Sequence, residues 1–123
     1  MQSIVVVEDD TGMSKAIQWL LRAAGFRVVV FSSAEKLLQT DAVDSAACLV
    51  LDIHLPGLSG FDLLRRLVAS GHALPVIFIT AHDDPSASDE AHRLDCAAYF
   101  RKPFEGSALL EAIRQALDLD PKQ

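Results

Sequence analysis

The amino-acid sequence predicts an α/β fold, a doubly wound sandwich on one open parallel sheet. Three observations predict it. Five short apolar runs, most of them rich in β-branched residues, recur along the chain. The segments between them place apolar residues at helical spacing. The runs are continuously apolar rather than alternating, as expected of strands covered on both faces, with each helix returning the chain to the same end of the sheet.

The first strand is Ile4 to Val7. Met13, Ala16, Ile17, Leu20, Leu21 and Ala24 then follow the i, i+3, i+4, i+7 stripe of a helix, and Gly25 stands where that helix needs a left-handed stop. The second strand is Val28 to Phe31, and Ala34, Leu37 and Leu38 suggest a short helix capped by Ser32 or Ser33. After the third strand, Cys48 to Leu51, Ser59 caps a helix with Phe61, Leu64, Leu67 and Val68 facing inward and Gly71 beyond its end. The fourth strand is Val76 to Thr80. Pro85 to Asp95 reads as a polar fourth helix with only Ala87, Ala91 and Leu94 to bury. A weaker fifth strand spans Ala97 to Phe100, and Leu109, Leu110, Ile113, Ala116 and Leu117 make the last helix amphipathic.

The 123 residues suffice for one ordinary domain. Half are hydrophobic and 23% are charged, with six glycines and five prolines, which excludes a disordered, collagen-like or low-complexity chain. The net charge of −6 repels phosphate backbones and anionic lipid, so direct nucleic-acid or membrane binding is not expected. No apolar run approaches membrane-spanning length and no signal peptide precedes the first strand, so a cytoplasmic location is expected. Cys48 and Cys96 lack metal-site or disulfide spacing and read as packed hydrophobes.

In an open parallel sheet, ligands bind beyond the carboxyl ends of the strands. There the sequence places Glu8, Asp9 and Asp10 after strand one, Asp52 at the end of strand three, Thr80 at the end of strand four, and Lys102 and Pro103 after strand five. Crowded carboxylates raise one another's proton affinity unless a cation compensates. A hard, oxygen-seeking ion such as Mg²⁺ suits them, and Lys102 supplies a second positive charge. Each residue taken singly has a plainer role: the acidic triplet as an N-cap, Asp52 in an Asx-turn, Thr80 as a cap for helix four, Lys102 and Pro103 as a turn. Independent caps give no reason for acids, a hydroxyl and one lysine to stand at corresponding strand ends.

With Val-Val-Glu-Asp-Asp at 6–10, Leu-Asp-Ile-His-Leu-Pro-Gly-Leu-Ser-Gly at 51–60, Ile-Thr-Ala at 79–81 and Tyr-Phe-Arg-Lys-Pro-Phe at 99–104, the sequence resembles the response regulator receiver domains of bacterial two-component signalling, the CheY-like fold, and within them FixJ-type receivers. The match spans Ser3 to Leu117. It implies a flavodoxin-like sheet of order 2-1-3-4-5, with residues 1–120 as the receiver and 121–123 as a tail or the start of a linker. Whether the chain stands alone or is cut from a DNA-binding regulator is left open.

The resemblance implies that Asp52 is the phosphoacceptor and that Glu8 and Asp9 hold Mg²⁺, or Mn²⁺, with Asp52 and the main-chain carbonyl of His54. Glu8 is one methylene longer than the commoner aspartate and can reach the metal through water. Thr80 and Lys102 would meet the phosphoryl group, Tyr99 would report the phosphorylation state, and the Lys102–Pro103 peptide would be cis. His54 and His82 would flank the route of attacking water and set the phosphoryl lifetime; the plainer reading is two solvent-exposed loop residues. The implied activity is self-catalysed phosphotransfer and slow autodephosphorylation, not turnover of external substrates. Haloacid-dehalogenase-type phosphatases also phosphorylate a strand-end aspartate, but they need a second aspartate where this chain has His54.

The implied partners are a sensor histidine kinase or phosphotransfer protein and a downstream effector domain or protein. The kinase is expected on the face of helix one around Thr11, Ser14 and Gln18, beside the loop between strand five and helix five; Trp19 stands off the apolar stripe and reads as a partly exposed lone aromatic. Asp89, Glu90, His92 and Arg93 make helix four unusually polar, so a phosphorylation-dependent homodimer would use charged contacts there. Asp95 stands where a glycine usually ends that helix, and Asp tolerates the left-handed conformation better than most residues.

Overall fold

The computed structural model describes residues 2–82 and 84–118; the tail at 121–123 lies outside them. Five strands, β1 (Ser3–Val7), β2 (Arg27–Phe31), β3 (Cys48–Asp52), β4 (Val76–Thr80) and β5 (Ala98–Arg101), pair in parallel in the order β2-β1-β3-β4-β5. Five helices connect and follow them: α1 (Thr11–Ala23), α2 (Ala34–Leu38), α3 (Gly60–Ala69), α4 (Pro85–Arg93) and α5 (Gly106–Asp118). A 3₁₀ turn at Ala42–Ser45, which apolar periodicity did not reveal, buries Val43 ahead of β3.

Successive strand side chains point to opposite faces, so the sheet builds two cores. Val5, Val7, Leu49, Leu51 and Phe78 pack beneath α2, α3 and α4, against Leu37, Leu63, Leu67, Ala87 and Ala91. Ile4, Val6, Val50, Ile77 and Ile79 pack beneath α1 and α5, against Ile17, Leu21, Leu109 and Ile113. Burial on both faces explains why β1, β3 and β4 read as unbroken apolar runs. Both cysteines are packing residues: Cys48 is buried, its thiol pushed up to about 12 by that burial, and Cys96 is half-buried.

Local chemistry starts and stops the helices. Asp10 caps α1 by accepting from Met13 N–H, Ser33 caps α2, Ser59 and Asp62 form a reciprocal capping box on α3, and Asp84 with Pro85 opens α4. Gly25, Gly71 and Asp95 end α1, α3 and α4 with φ of +98°, +91° and +59°. Two expected inward residues face out. Val68 is 59% exposed, because the buried arc of α3 is Gly60, Leu63, Leu64 and Leu67 and a pitch of 100° per residue rotates Val68 off it. Ala16 is likewise exposed, since α1 buries Ser14, Ile17 and Leu21. No helix among the described residues is long and apolar enough to cross a membrane.

Candidate functional site

The carboxyl ends of β1, β3, β4 and β5 deliver the sequence-predicted residues to one edge. The Glu8 amide extends the β1–β2 ladder by donating to the Phe31 carbonyl at 3.0 Å, and the Lys102 amide donates to the Thr80 carbonyl at 2.7 Å. The chain then turns through a cis Lys102–Pro103 peptide, as expected. The Lys102 ammonium lies between two buried carboxylates, 2.5 Å from Glu8 Oε1 and 3.3 Å from Asp52 Oδ2. Glu8, Asp9 and Asp52 each offer a carboxylate oxygen within 4.8 Å of the others, Asp9 from the solvent side. Asp10, by contrast, turns away to cap α1, so the acidic triplet divides between cap and cluster.

The electrostatics of this cluster are those of acids short of cations. Burial, then the neighbouring Asp52 carboxyl, raises the Glu8 pKa above its ordinary value, outweighing the pull of Lys102. Burial alone would depress the Lys102 pKa, but its hydrogen bond to Glu8 and the charges of Asp52 and Glu8 carry it above the ordinary lysine value. One ammonium thus leaves a buried acid whose proton affinity stays above the ordinary. The three carboxylates are the donor set a hard divalent cation prefers, and such an ion would relieve that burden.

The loop after β3 is held from several sides. His54 N–H donates to Asp52 Oδ1 at 3.0 Å, an Asx-type bond that makes the plainer reading of Asp52 true alongside its place in the cluster. Gly60 N–H donates to the Ile53 carbonyl at 3.0 Å, and a Cβ at Gly60 would collide with the Asp52 carbonyl oxygen, so glycine lets α3 start directly beneath the strand end. Glu35 of α2 accepts from Leu58 N–H at 2.8 Å and lies against Gly57, whose φ is +75°. Gly60 stood unremarked inside the 51–60 motif. Glu35 had no sequence signal, because its partner is 23 residues away.

Thr80 is fully buried, which removes its proposed duty as a cap for α4; Asp84 performs that task. Its Oγ1 accepts from His82 N–H at 3.1 Å and lies 2.9 Å from His54 Nδ1. The two imidazoles meet edge to face with centroids 4.5 Å apart, so these loop histidines form one unit. Partial burial, then the His82 ring, holds the His54 pKa below the usual histidine range. An open cleft of about 750 Å³ beside the cluster is lined by Asp9, His54, Pro56, Ser59, Asp84 and Arg93 among others.

Tyr99 sits opposite Phe78 in the β4–β5 register and is half-buried against the core beneath α2, α3 and α4. On α1 the expected docking face is altered: Ser14 is buried and donates to the Thr11 carbonyl at 3.1 Å. The open surface is instead an apolar groove of about 670 Å³ lined by Met13, Ala16, Trp19, Leu20, Pro103 and Phe104 among others, with Trp19 81% exposed.

The family model for the response regulator receiver domain matches residues 4–114. The response regulator protein TmoT of Ectopseudomonas mendocina is 39% identical over 120 residues, covering 98% of this chain and 54% of its own length. The transcriptional regulatory protein FixJ of Bradyrhizobium diazoefficiens is 35% identical over 114 residues, covering 93% of this chain and 56% of its own length. The chain thus spans about half the length of these relatives. The solved structure of response regulator StyR superposes with a TM-score of 0.89 at 38% identity, over 98% of this chain and 61% of that one. With acids, threonine and lysine gathered at the strand ends of a 2-1-3-4-5 sheet, the chain belongs to the response regulator receiver domains, the phosphorylation-dependent signalling modules of two-component systems.

Proposed function

We propose that Asp52 accepts a phosphoryl group from the phosphohistidine of a sensor kinase or phosphotransfer protein and holds it as an aspartyl phosphate. The observation that carries this reading is the buried Asp52 carboxylate clamped between Lys102, the His54 N–H and the Glu8–Asp9 pair. An Asp52 carboxylate oxygen attacks phosphorus in line; the Asp52 O–P bond forms as the donor's N–P bond breaks, and the imidazole leaves with the electron pair and takes a proton from water. Little covalent chemistry falls to the protein, and positioning with electrostatic stabilisation dominates. Lys102 stabilises charge on the equatorial phosphoryl oxygens. Bound by Glu8, Asp9, Asp52 and the His54 main-chain carbonyl, Mg²⁺ or Mn²⁺ would supply the remaining neutralisation.

Phosphorylation replaces one carboxylate charge with about two and adds three acceptor oxygens. Thr80 donates to one of them, and its inward movement vacates space for Tyr99, reshaping the surface of α4, β5 and α5 that an effector domain, effector protein or second copy reads. A differential interaction of about 3 to 5 kcal/mol suffices to reverse such an equilibrium. The kinase docks on the α1 groove beside Trp19 and Phe104, whose lining includes Pro103, the residue after Lys102. This switch, a noncatalytic one beyond its own phosphotransfer and slow dephosphorylation, works in the cytoplasm. Residues 1–120 form the receiver.

The reading is tested by incubating parent and Asp52→Asn with Mg²⁺ and acetyl phosphate and measuring the phosphoryl adduct by mass spectrometry. The parent takes one group and the variant none, with unchanged circular dichroism; stoichiometric labelling of the variant assigns the acceptor elsewhere. The paired rings of His54 and His82 bear on the lifetime of the mark by flanking the path of water. His54→Ala and His82→Ala therefore change the dephosphorylation rate several-fold, and rates equal to the parent's remove both from that role.

A further inference from the structure

The Thr80 hydroxyl is occupied twice before any phosphoryl group arrives. A hydroxyl offers one proton and two lone pairs. The His82 N–H, at 3.1 Å, takes one lone pair. His54 Nδ1, at 2.9 Å, takes either the proton or the second lone pair, according to its tautomer, and the nearest other acceptor is the His82 carbonyl at 3.5 Å. Thr80 is fully buried, whereas His54 and His82, its two partners, are exposed residues. The His54 main-chain N–H is anchored on Asp52 Oδ1 at 3.0 Å, and its ring packs edge to face on the His82 ring with centroids 4.5 Å apart.

We propose that the His54 side chain is a latch on Thr80, a positioning residue that holds the hydroxyl in the resting arrangement and must release it when the Asp52 phosphoryl group captures it. The proposal rests on the reading of Asp52 and Thr80 given above and adds what opposes the switch. The hydroxyl exchanges one partner for another inside a buried site, so the resting bias is set by the hydrogen bond lost as well as by the one gained. His54 joins the two events because it leaves β3 two residues after Asp52 and touches the residue that ends β4. Net hydrogen-bond strengths imply that removing the latch raises the activated fraction of the unphosphorylated protein about 2- to 12-fold.

The test is NMR of the Thr80 methyl and Tyr99 ring in the parent, His54→Ala and His54→Asn, with the parent recorded with and without acetyl phosphate and Mg²⁺ to define the path between resting and activated positions. Unphosphorylated His54→Ala is expected part-way along that path. His54→Asn, whose amide reaches about where Nδ1 stands, is expected back near the parent. The latch is wrong if unphosphorylated His54→Ala keeps the parent's positions, leaves the path altogether, or is matched by His54→Asn. In those cases a parent that still takes the label leaves the phosphoacceptor reading standing. A parent that takes no label, or whose Thr80 methyl ignores phosphorylation, overturns that reading and the latch with it.

Discussion

Asp52, Glu8, Asp9, Thr80 and Lys102 were legible as single residues because each ends, or directly follows, a strand whose apolar run announces where it stops. What each one touches was not legible. The Lys102 ammonium bridges Glu8 and Asp52 across sequence separations of 94 and 50 residues, and no local pattern encodes that. Its position makes a specific prediction. Lys102→Ala leaves the buried Glu8 and Asp52 carboxylates facing each other, and because the edge is open on the Asp9 side the loss is expected near 2 kcal/mol, below the range of about 3 to 5 kcal/mol for a sealed pair. Denaturant titration measures it. Acetyl phosphate should still label the variant in part while its Tyr99 resonance stays at the resting position; a parental Tyr99 response would dissociate Lys102 from the switch.

Among elements, propensity and punctuation located strands and helices to within a residue or two, and capping chemistry worked as read at Ser33 and Ser59. Helix rotation was harder, because a stripe of apolar residues defines a broad arc, whereas the sheet selects one part of it; hence Val68 and Ala16 outside and Ser14 inside. The helix-to-loop tie at Glu35 shows the same limit. Its hydrogen bond from Leu58 N–H lowers the Glu35 pKa below the ordinary 4.5. A lowered folded pKa contributes stability above the unfolded value that fades as pH falls through the folded one. Parent and Glu35→Gln should therefore differ in urea midpoint above pH 4.5 and converge in more acidic buffer. A gap that widens toward acid would show that the carboxylate is not the anchor. The surface Arg93–Glu90–Arg65 chain between α3 and α4 adds little stability, and its Glu90 and Arg93 line the cleft beside Asp9.

For the molecule as a whole, two cores against one sheet hold the strand-end edge as a rim on which three carboxylates gather around one ammonium. A divalent cation that binds this rim only when folded must stabilise the domain. At ten times its dissociation constant, Mg²⁺ should contribute about 1.4 kcal/mol, or roughly 4 to 6 °C in thermal midpoint. Calorimetry of the parent and Asp9→Asn decides it: a midpoint indifferent to Mg²⁺ in the parent, or an equal rise in the variant, would remove Asp9 from the metal site. The sequence by itself determined the α/β class, the alternation of elements and the identity of the strand-end residues, because burial on both sheet faces and helix capping are local and periodic. Only the tertiary structure decided the partners, from Lys102 between two acids to His54 on Thr80 and Glu35 on the loop, because strand order and helix rotation juxtapose residues that lie far apart in the chain.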